Sequence, residues 1–377
     1  MNPLLWKIDW GLVVFCVFAL VTVVQLFYHW WFFRRISFFN PPQKAKSQTH
    51  PVSVIVCARD EAANLVKNLP GVLVQTYPTT HEVIVVNDNS VDESKYVIAE
   101  LQKTFKNLQH VPLTHEAKGI PGKKYPLSIG IKEAKHEIVL LTDADCVPAT
   151  EFWIQKMQDA YDDGIEVVIG YGAYHKKQGM LNKLIRFETF QSALQFLSFA
   201  LAGIPYMGVG RNLSYKKGLF FKVKGFSSMN HIPSGDDDLF INKVANKRNT
   251  AIVIDKDATI LSEPKKTFGD WFRQKTRHFS TARFYKPLHK FLLGLYTLSQ
   301  FLFYPAFIGS LLLYDWRFAA GVFVLRMISY FTIYTKALKK LDETDLTAWL
   351  LLLDIWQFFY YIIFAPALWK KPRKTWN

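Results

Sequence analysis

Long charge-free apolar runs stand near both ends of the chain, and between them the pattern shortens and becomes periodic. Gly11 to Phe33 holds no Asp, Glu, Lys or Arg over 23 residues. At about 1.5 Å of rise per residue, such a helix spans the roughly 30 Å hydrocarbon core of a bilayer. Trp10, Trp30 and Trp31 stand at its edges and Arg34-Arg35 follows at once. The expectation is a retained anchor over 1–35 with its C-terminal side in the cytoplasm, not a cleaved signal. Residues 36–51 read as a polar linker. After about Lys286 the apolar runs return. Phe291 to Tyr314 is uncharged, Phe318 to Thr335 carries Arg326, and Leu346 to Trp369 carries Asp354. An ionisable group at membrane depth needs protein, water or a partner, so Arg326 and Asp354 form a candidate pair. Residues 286–377 read as two or three transmembrane or interfacial helices. If all three span and 52–285 is cytoplasmic, the basic end Lys370 to Lys374 falls outside, against the positive-inside rule.

The middle of the chain, 52–285, has the pattern of a soluble α/β domain. Val52 to Cys57 and Glu82 to Asn87 are strand-length apolar runs. Asp60 to Tyr77 reads as a helix, and Ser90-Val-Asp-Glu93 as a capping box opening a helix to about Phe105. After a loop, a helix over Lys124–Lys135 leads to the strand Ile138 to Asp143. Val167 to Gly170 reads as another strand and Leu181 to Leu201 as an amphipathic helix. Alternation of strands and helices at this spacing predicts a mainly parallel sheet.

Composition narrows the class. Lys plus Arg number 46 against 31 acids, a net +15, while 50% of residues are hydrophobic and 16% aromatic. Both excesses together suit a membrane protein with basic cytoplasmic edges. Nucleic acid is not the expected partner, because the basic residues form neither one stripe nor a known motif. The three cysteines make no CxxC, which predicts free thiols in a reducing compartment.

Polar residues gather where the strands end. Asp143 and Asp145, two apart at the end of an extended run, face one point, and hard oxygen ligands of this kind suit Mg²⁺ or Mn²⁺ beside a phosphate. Cys57-Ala58-Arg59-Asp60-Glu61 follows the first strand and Asn87-Asp88-Asn-Ser90 the second. In a parallel sheet the carboxyl ends of neighbouring strands share a rim, where ligands bind. Asp236-Asp237-Asp238 offers a carboxylate able to act as general base. Gln274, Arg277 and His278 share one helix face by their spacing. Taken singly, each cluster is more often an ordinary turn or a solvated helix start.

Taken in order, these motifs resemble the membrane-bound family 2 glycosyltransferases, inverting enzymes of GT-A fold, over about residues 52–280. The resemblance implies that Ala58, Arg59, Glu61 and Asp88 hold the nucleotide. Lys123, in Gly122-Lys123-Lys-Tyr-Pro126-Leu127-Ser128, approaches it, although Pro126 and Ser128 replace the usual Ala and Asn. It places Asp145 on the metal, Asp143 on the donor, and the base at Asp237, with Asp236 beside it; the triple Asp leaves that register open by one. Gln274, Arg277 and His278 match the acceptor and diphosphate motif, with His278 in place of the usual Trp. The implied activity is transfer of a sugar from a nucleotide-diphosphate sugar, UDP-linked by expectation, to a lipid, lipid-linked or growing glycan acceptor at the cell membrane. The implied enzyme is a multi-pass protein with its catalytic domain on the cytoplasmic side. The alternatives are a processive polysaccharide synthase and an inactive nucleotide-sugar-binding scaffold.

Overall fold

The computed structural model describes residues 9–41, 49–115, 120–279 and 281–368. It divides into two compact units: the described residues up to Phe39 with Lys286–Pro366, and Asn40–Tyr285.

In the first unit, α1 (Trp10–Phe27) runs through a π-helical turn (Tyr28–Phe33) into α2 (Arg34–Ser37). In the second unit the order is β1 (Val52–Ala58), α3 (Ala62–Leu73), β2 (His81–Asp88), α4 (Ser94–Thr104), β3 (Leu108–Leu113), α5 (Lys124–Glu133) and β4 (Ile138–Asp143). Then come β5 (Cys146–Pro148), α6 (Trp153–Gln158), β6 (Val167–Gly170), β7 (Gly172–Tyr174), α7 (Met180–Leu201), β8 (Leu213–Lys216) and α8 (Lys217–Lys222). The unit closes with α9 (Asp238–Val244), β9 (Thr250–Val253), β10 (Ile260–Ser262) and α10 (Phe268–Phe279). Back in the first unit, α11 (Pro287–Leu313), α12 (Trp316–Lys340) and α13 (Leu350–Phe364) complete the described chain.

Among the described residues the strands form a seven-stranded sheet, β3-β2-β1-β4-β8-β6-β9, and a three-stranded one, β5-β10-β7. β1 to β4 run parallel and β8 antiparallel to its neighbours β4 and β6. β1 is buried along its whole length, as a central parallel strand covered on both faces must be. Val54, Val56, Val85 and Leu140 pack with Leu65, Leu69, Trp153 and Ile154 in the principal core.

Several local readings differ from what forms. Ser90 does not cap α4: its hydroxyl accepts from the Asp60 N–H at 3.0 Å, and the Asp92 carboxylate accepts from Ala62 N–H and Ser94 N–H. The apparent capping box is spent on joining two strand-end loops. The stretch after Phe105 read as loop contains β3, whose polar residues and Pro112 hid it; Pro is tolerated there because β3 is an edge strand. α3 starts at Ala62 rather than Asp60, whose φ of 55° places it outside the helix. α7 is not amphipathic; most of its side chains are buried, including Arg186 and Glu188.

In the first unit four helices, Trp10–Ser37, Pro287–Leu313, Trp316–Lys340 and Thr344–Phe364, are long and apolar enough to cross a membrane. Arg326 and Asp354 do pair, through two hydrogen bonds of 2.5 and 2.7 Å. Arg326 Nε also donates to Gln25, its guanidinium lies against the rings of Phe303 and Tyr330, and Tyr304 donates to Asp354 at 2.6 Å. The buried charges of Arg326 and Asp354 are thus each met by partners, as low dielectric demands. Lys370 to Lys374 lie outside the described residues.

Candidate active site

The register of the large sheet aligns the polar strand ends. Cys57 stands opposite Asp143, and Ala58 opposite Asn87. β1, β2 and β4 therefore deliver Arg59, Asp88 and Asp143 to one rim. Asp88 is buried, accepts from Asn89 at 3.0 Å and lies 3.8 Å from the Arg59 guanidinium. Glu61 accepts from Asn64 Nδ2 at 2.5 Å. Burial raises its pKa and the nearby Asp145 and Asp143 add to this, against the Asn64 bond.

Asp143 and Lys123 form a close ion pair. Burial pushes the Asp143 carboxyl up, but the Lys123 ammonium, with Arg211 and Arg277 further away, outweighs this and leaves it below the ordinary value. Burial opposes the Lys123 charge, and Asp143, Cys57 and Asp236 more than restore it. Asp143, Asp145 and Cys146 present ligand atoms within 4.8 Å of one another. Burial drives the Cys146 thiol well above its usual value, and its Sγ lies 2.9 Å from the Ser262 hydroxyl, so the hard donors of the group are the two carboxylates. A pair of carboxylate oxygens fits Mg²⁺ or Mn²⁺. With Asp143 already committed to Lys123, Asp145 is the freer ligand.

The Asp triplet divides its work. Asp237 caps α9, and its carboxylate accepts from the N–H groups of Gly210 (2.8 Å) and Asp238 (2.7 Å). Burial and the charges of Asp236 and Asp238 push its pKa up to about 8, against those two bonds. Asp238 is buried and accepts from the hydroxyls of Thr281 (2.5 Å) and Tyr285 (2.7 Å). With a third bond from the Leu239 N–H to its other oxygen at 2.7 Å, it anchors the loop. The buried Lys124 ammonium donates to the carbonyls of Ile232 (2.5 Å) and Ser234 (2.7 Å). Gly122, at φ 79°, lets its turn lie against Pro233, whose carbonyl oxygen a Cβ would meet at 2.3 Å. The Gly122-Lys123-Lys124 turn thus touches both the Asp143 wall and the Asp237 loop.

On α10, Gln274 donates to the Tyr174 hydroxyl at 3.3 Å, Arg277 is exposed, and the side chain of His278 lies outside the described residues. Lys275, between them, pairs with Glu188 of α7. Sequence reasoning did not find Lys124, Gly210, Arg211, Tyr174, Thr281 or Tyr285. Of these only Lys124 and Gly210 carried a signal, a second Lys beside the first and a glycine-rich run, Gly208-Val-Gly210.

The sequence model described as Glycosyl transferase family 2 matches residues 53–223, the segment that carries the strand-end rim and Asp143-Ala-Asp145. The chain carries a family 2 glycosyltransferase domain. Over 236 residues it is 26% identical to the probable glycosyltransferase YdaM of Bacillus subtilis, covering 60% of this chain and 54% of that one. Over 101 residues it is 31% identical to the beta-monoglucosyldiacylglycerol synthase of a Nostoc species, covering 26% of this chain and 21% of that one. The matches thus span about half, or less, of the length of these relatives. Among solved structures, the mannosyltransferase PcManGT of Pyrobaculum calidifontis, determined with GDP-Man and Mn²⁺, superposes with a TM-score of 0.58. It shares 18% identity, over 93% of this chain and 99% of that chain. That likeness concerns the fold: the family 2 domain has the GT-A architecture, and apolar helices flank it.

Proposed function

We propose that the family 2 domain transfers a sugar, with inversion, from a nucleotide-diphosphate sugar to a hydroxyl of a lipid, lipid-linked or glycan acceptor at the cytoplasmic face of a membrane. The observation that carries this reading is the opposition of two differently tuned carboxylates across one turn. Asp143 is held ionised by Lys123, while Asp237 is tuned upward to about 8. A low-pKa carboxylate suits charge binding, and one near neutrality suits proton abstraction.

In this mechanism Asp88 and Arg59 hold the nucleobase side of the donor, and Ala58 and Glu61 border it. Lys123 and Asp143 position the diphosphate. Asp145 takes the divalent ion, which when bound neutralises charge on the leaving diphosphate. Asp237 accepts the proton of the acceptor hydroxyl as its oxygen bonds to the anomeric carbon. The bond from that carbon to the diphosphate oxygen breaks from the opposite face, and the nucleoside diphosphate leaves. Asp236 raises the basicity of Asp237, and Gln274, Arg277 and His278 border the acceptor on α10. Four candidate spans support transfer of a single sugar rather than extrusion of a polymer, and the relation to a glucosyldiacylglycerol synthase supports a lipid acceptor.

The test is incubation of the full chain in native-like membranes with a labelled panel of UDP- and GDP-sugars. One donor is expected to yield a single-sugar lipid product, and Asp145→Asn and Asp237→Asn each to slow its formation by about 10²-fold or more. Transfer undiminished by both substitutions overturns the mechanism, and a polymeric product overturns single transfer.

A further inference from the structure

The three-stranded sheet looks like an accessory to the fold, but its register builds a seat beside the Asp pair. Cys146 of β5, Ser262 of β10 and Tyr174 of β7 stand in one cross-strand row. Cys146 Sγ lies 3.3 Å from the Asp145 carboxylate and 2.9 Å from the Ser262 hydroxyl. Over this row lies the guanidinium of Arg211. It donates to Ser262 Oγ at 3.3 Å and to the Gly172 carbonyl at 2.5 Å, and its carbon sits 4.6 Å from the centre of the Tyr174 ring. The seat is close-fitting: a Cβ on Gly172 would lie 2.3 Å from Arg211 Nε.

We propose that Arg211 is a second diphosphate-binding residue, holding the leaving nucleoside diphosphate on the side of the clasp away from Lys123. The proposal rests on the donor site described above and adds to it a residue outside every motif that identified that site. A guanidinium has five N–H donors. Those directed to Ser262, Gly172 and Tyr174 leave donors over: Nε, which is buried against Gly172 without a partner among the described residues, and a remaining N–H on the terminal nitrogens that is open to a ligand. The planar fork suits non-bridging phosphate oxygens. Its surroundings also want a cation. Asp143, Asp145 and Glu61 crowd this rim, and Lys123 is already paired with Asp143. Arg211 is half-buried and keeps part of its surface open, so a ligand can reach it. Arg211 follows Gly210, whose N–H holds Asp237. One short segment thereby touches both the base and, in this reading, the leaving group.

The test measures binding of UDP and GDP, and of uridine and guanosine, to the purified full chain with Mn²⁺. Wild type is compared with Arg211→Met, Arg211→Lys and Gly172→Ala, each checked by its thermal midpoint. Arg211→Met is expected to weaken the preferred nucleoside diphosphate by about tenfold or more while leaving the nucleoside unchanged. Arg211→Lys restores part of the loss, and Gly172→Ala, which displaces the guanidinium but keeps it, falls in the same direction. If diphosphate affinity is unchanged in Arg211→Met, or falls equally for diphosphate and nucleoside, Arg211 is only a brace for the small sheet. If the wild-type chain binds neither nucleoside diphosphate, the donor-site reading itself fails, a result distinct from loss in the variants alone.

Discussion

Lys123 and Lys124 are neighbours in the chain and hold opposite walls of the site. Lys123 pairs with the Asp143 carboxylate at the end of β4, while Lys124 donates to the carbonyls of Ile232 and Ser234 in the loop that presents Asp237. Two adjacent cations at the start of one helix thus tie the Asp143 strand end to the loop before Asp237. Lys124→Met should lower the transfer rate by about 10²-fold, the cost of roughly 1 Å of misplacement, with the donor KM moving far less. Lys123→Met should act mainly on donor KM. Steady-state kinetics of the two variants separates them, and identical kinetic profiles would show that the turn is one undivided structural unit.

The Asp237 carboxyl, raised from its ordinary 3.8 to about 8, makes the rate pH-dependent in a defined sense. As the proposed base Asp237 acts deprotonated, so kcat/KM should fall as pH drops below about 8. Removing a like charge with Asp236→Asn should move that limb to lower pH, because Asp236 is one of the causes of the shift. An unmoved limb would assign it to another group.

The same shift has a sign for stability. The folded state keeps a proton on Asp237 between about pH 4 and 8 that the unfolded state has lost, so stability falls as pH rises through that window. Asp237→Asn carries no such titration. Its thermal midpoint should therefore gain on wild type as pH rises from about 4 to about 8 and hold that lead above, which a pair of pH–melting curves will read.

Asp143 and Asp145 should respond differently to substitution. Asp145→Asn should raise the Mn²⁺ concentration needed for half-maximal rate and cost several kcal/mol, about 10²–10³-fold in rate. Asp143→Asn leaves Lys123 without its counter-charge and should show up chiefly in donor affinity. Metal titrations of both variants distinguish these outcomes.

Arg326 and Asp354 give a stability test away from the active site. Either single substitution, Arg326→Leu or Asp354→Leu, strands a buried charge and should cost about 3–5 kcal/mol. The double variant should recover much of that loss, since two apolar side chains leave no charge unpaired. Thermal unfolding in detergent of the singles and the double is the measurement, and additive losses would contradict the pairing.

Periodicity in the sequence was enough to reveal a mainly parallel sheet, the apolar helices and the strand-end rim, because apolar runs of strand length alternate with helical ones and charge is absent from long apolar helices; the GT-A form of that sheet came from the family resemblance. Asp143 and Asp145 do present oxygens within 4.8 Å of one another, but through a turn at Ala144-Asp145 and not through the extended chain that the i, i+2 spacing suggested. The pairing of Arg326 with Asp354 was legible because two isolated charges in apolar runs need each other. Other features depended on which loops the sheet order brings together. Ser90 looked like a helix cap and instead closes the Asp60 loop, since local hydrogen-bonding capacity does not say which donor arrives. The division of labour between Asp237 and Asp238 rests on Gly210, Thr281 and Tyr285, and backbone N–H groups leave no mark in a sequence. Arg211 and Lys124 were hidden because their value lies in register across a small sheet and in contacts with a distant loop. Residue types and local spacing determined what chemistry this chain can do; tertiary packing decided which carboxylate is ionised, which is basic and which cations stand beside them.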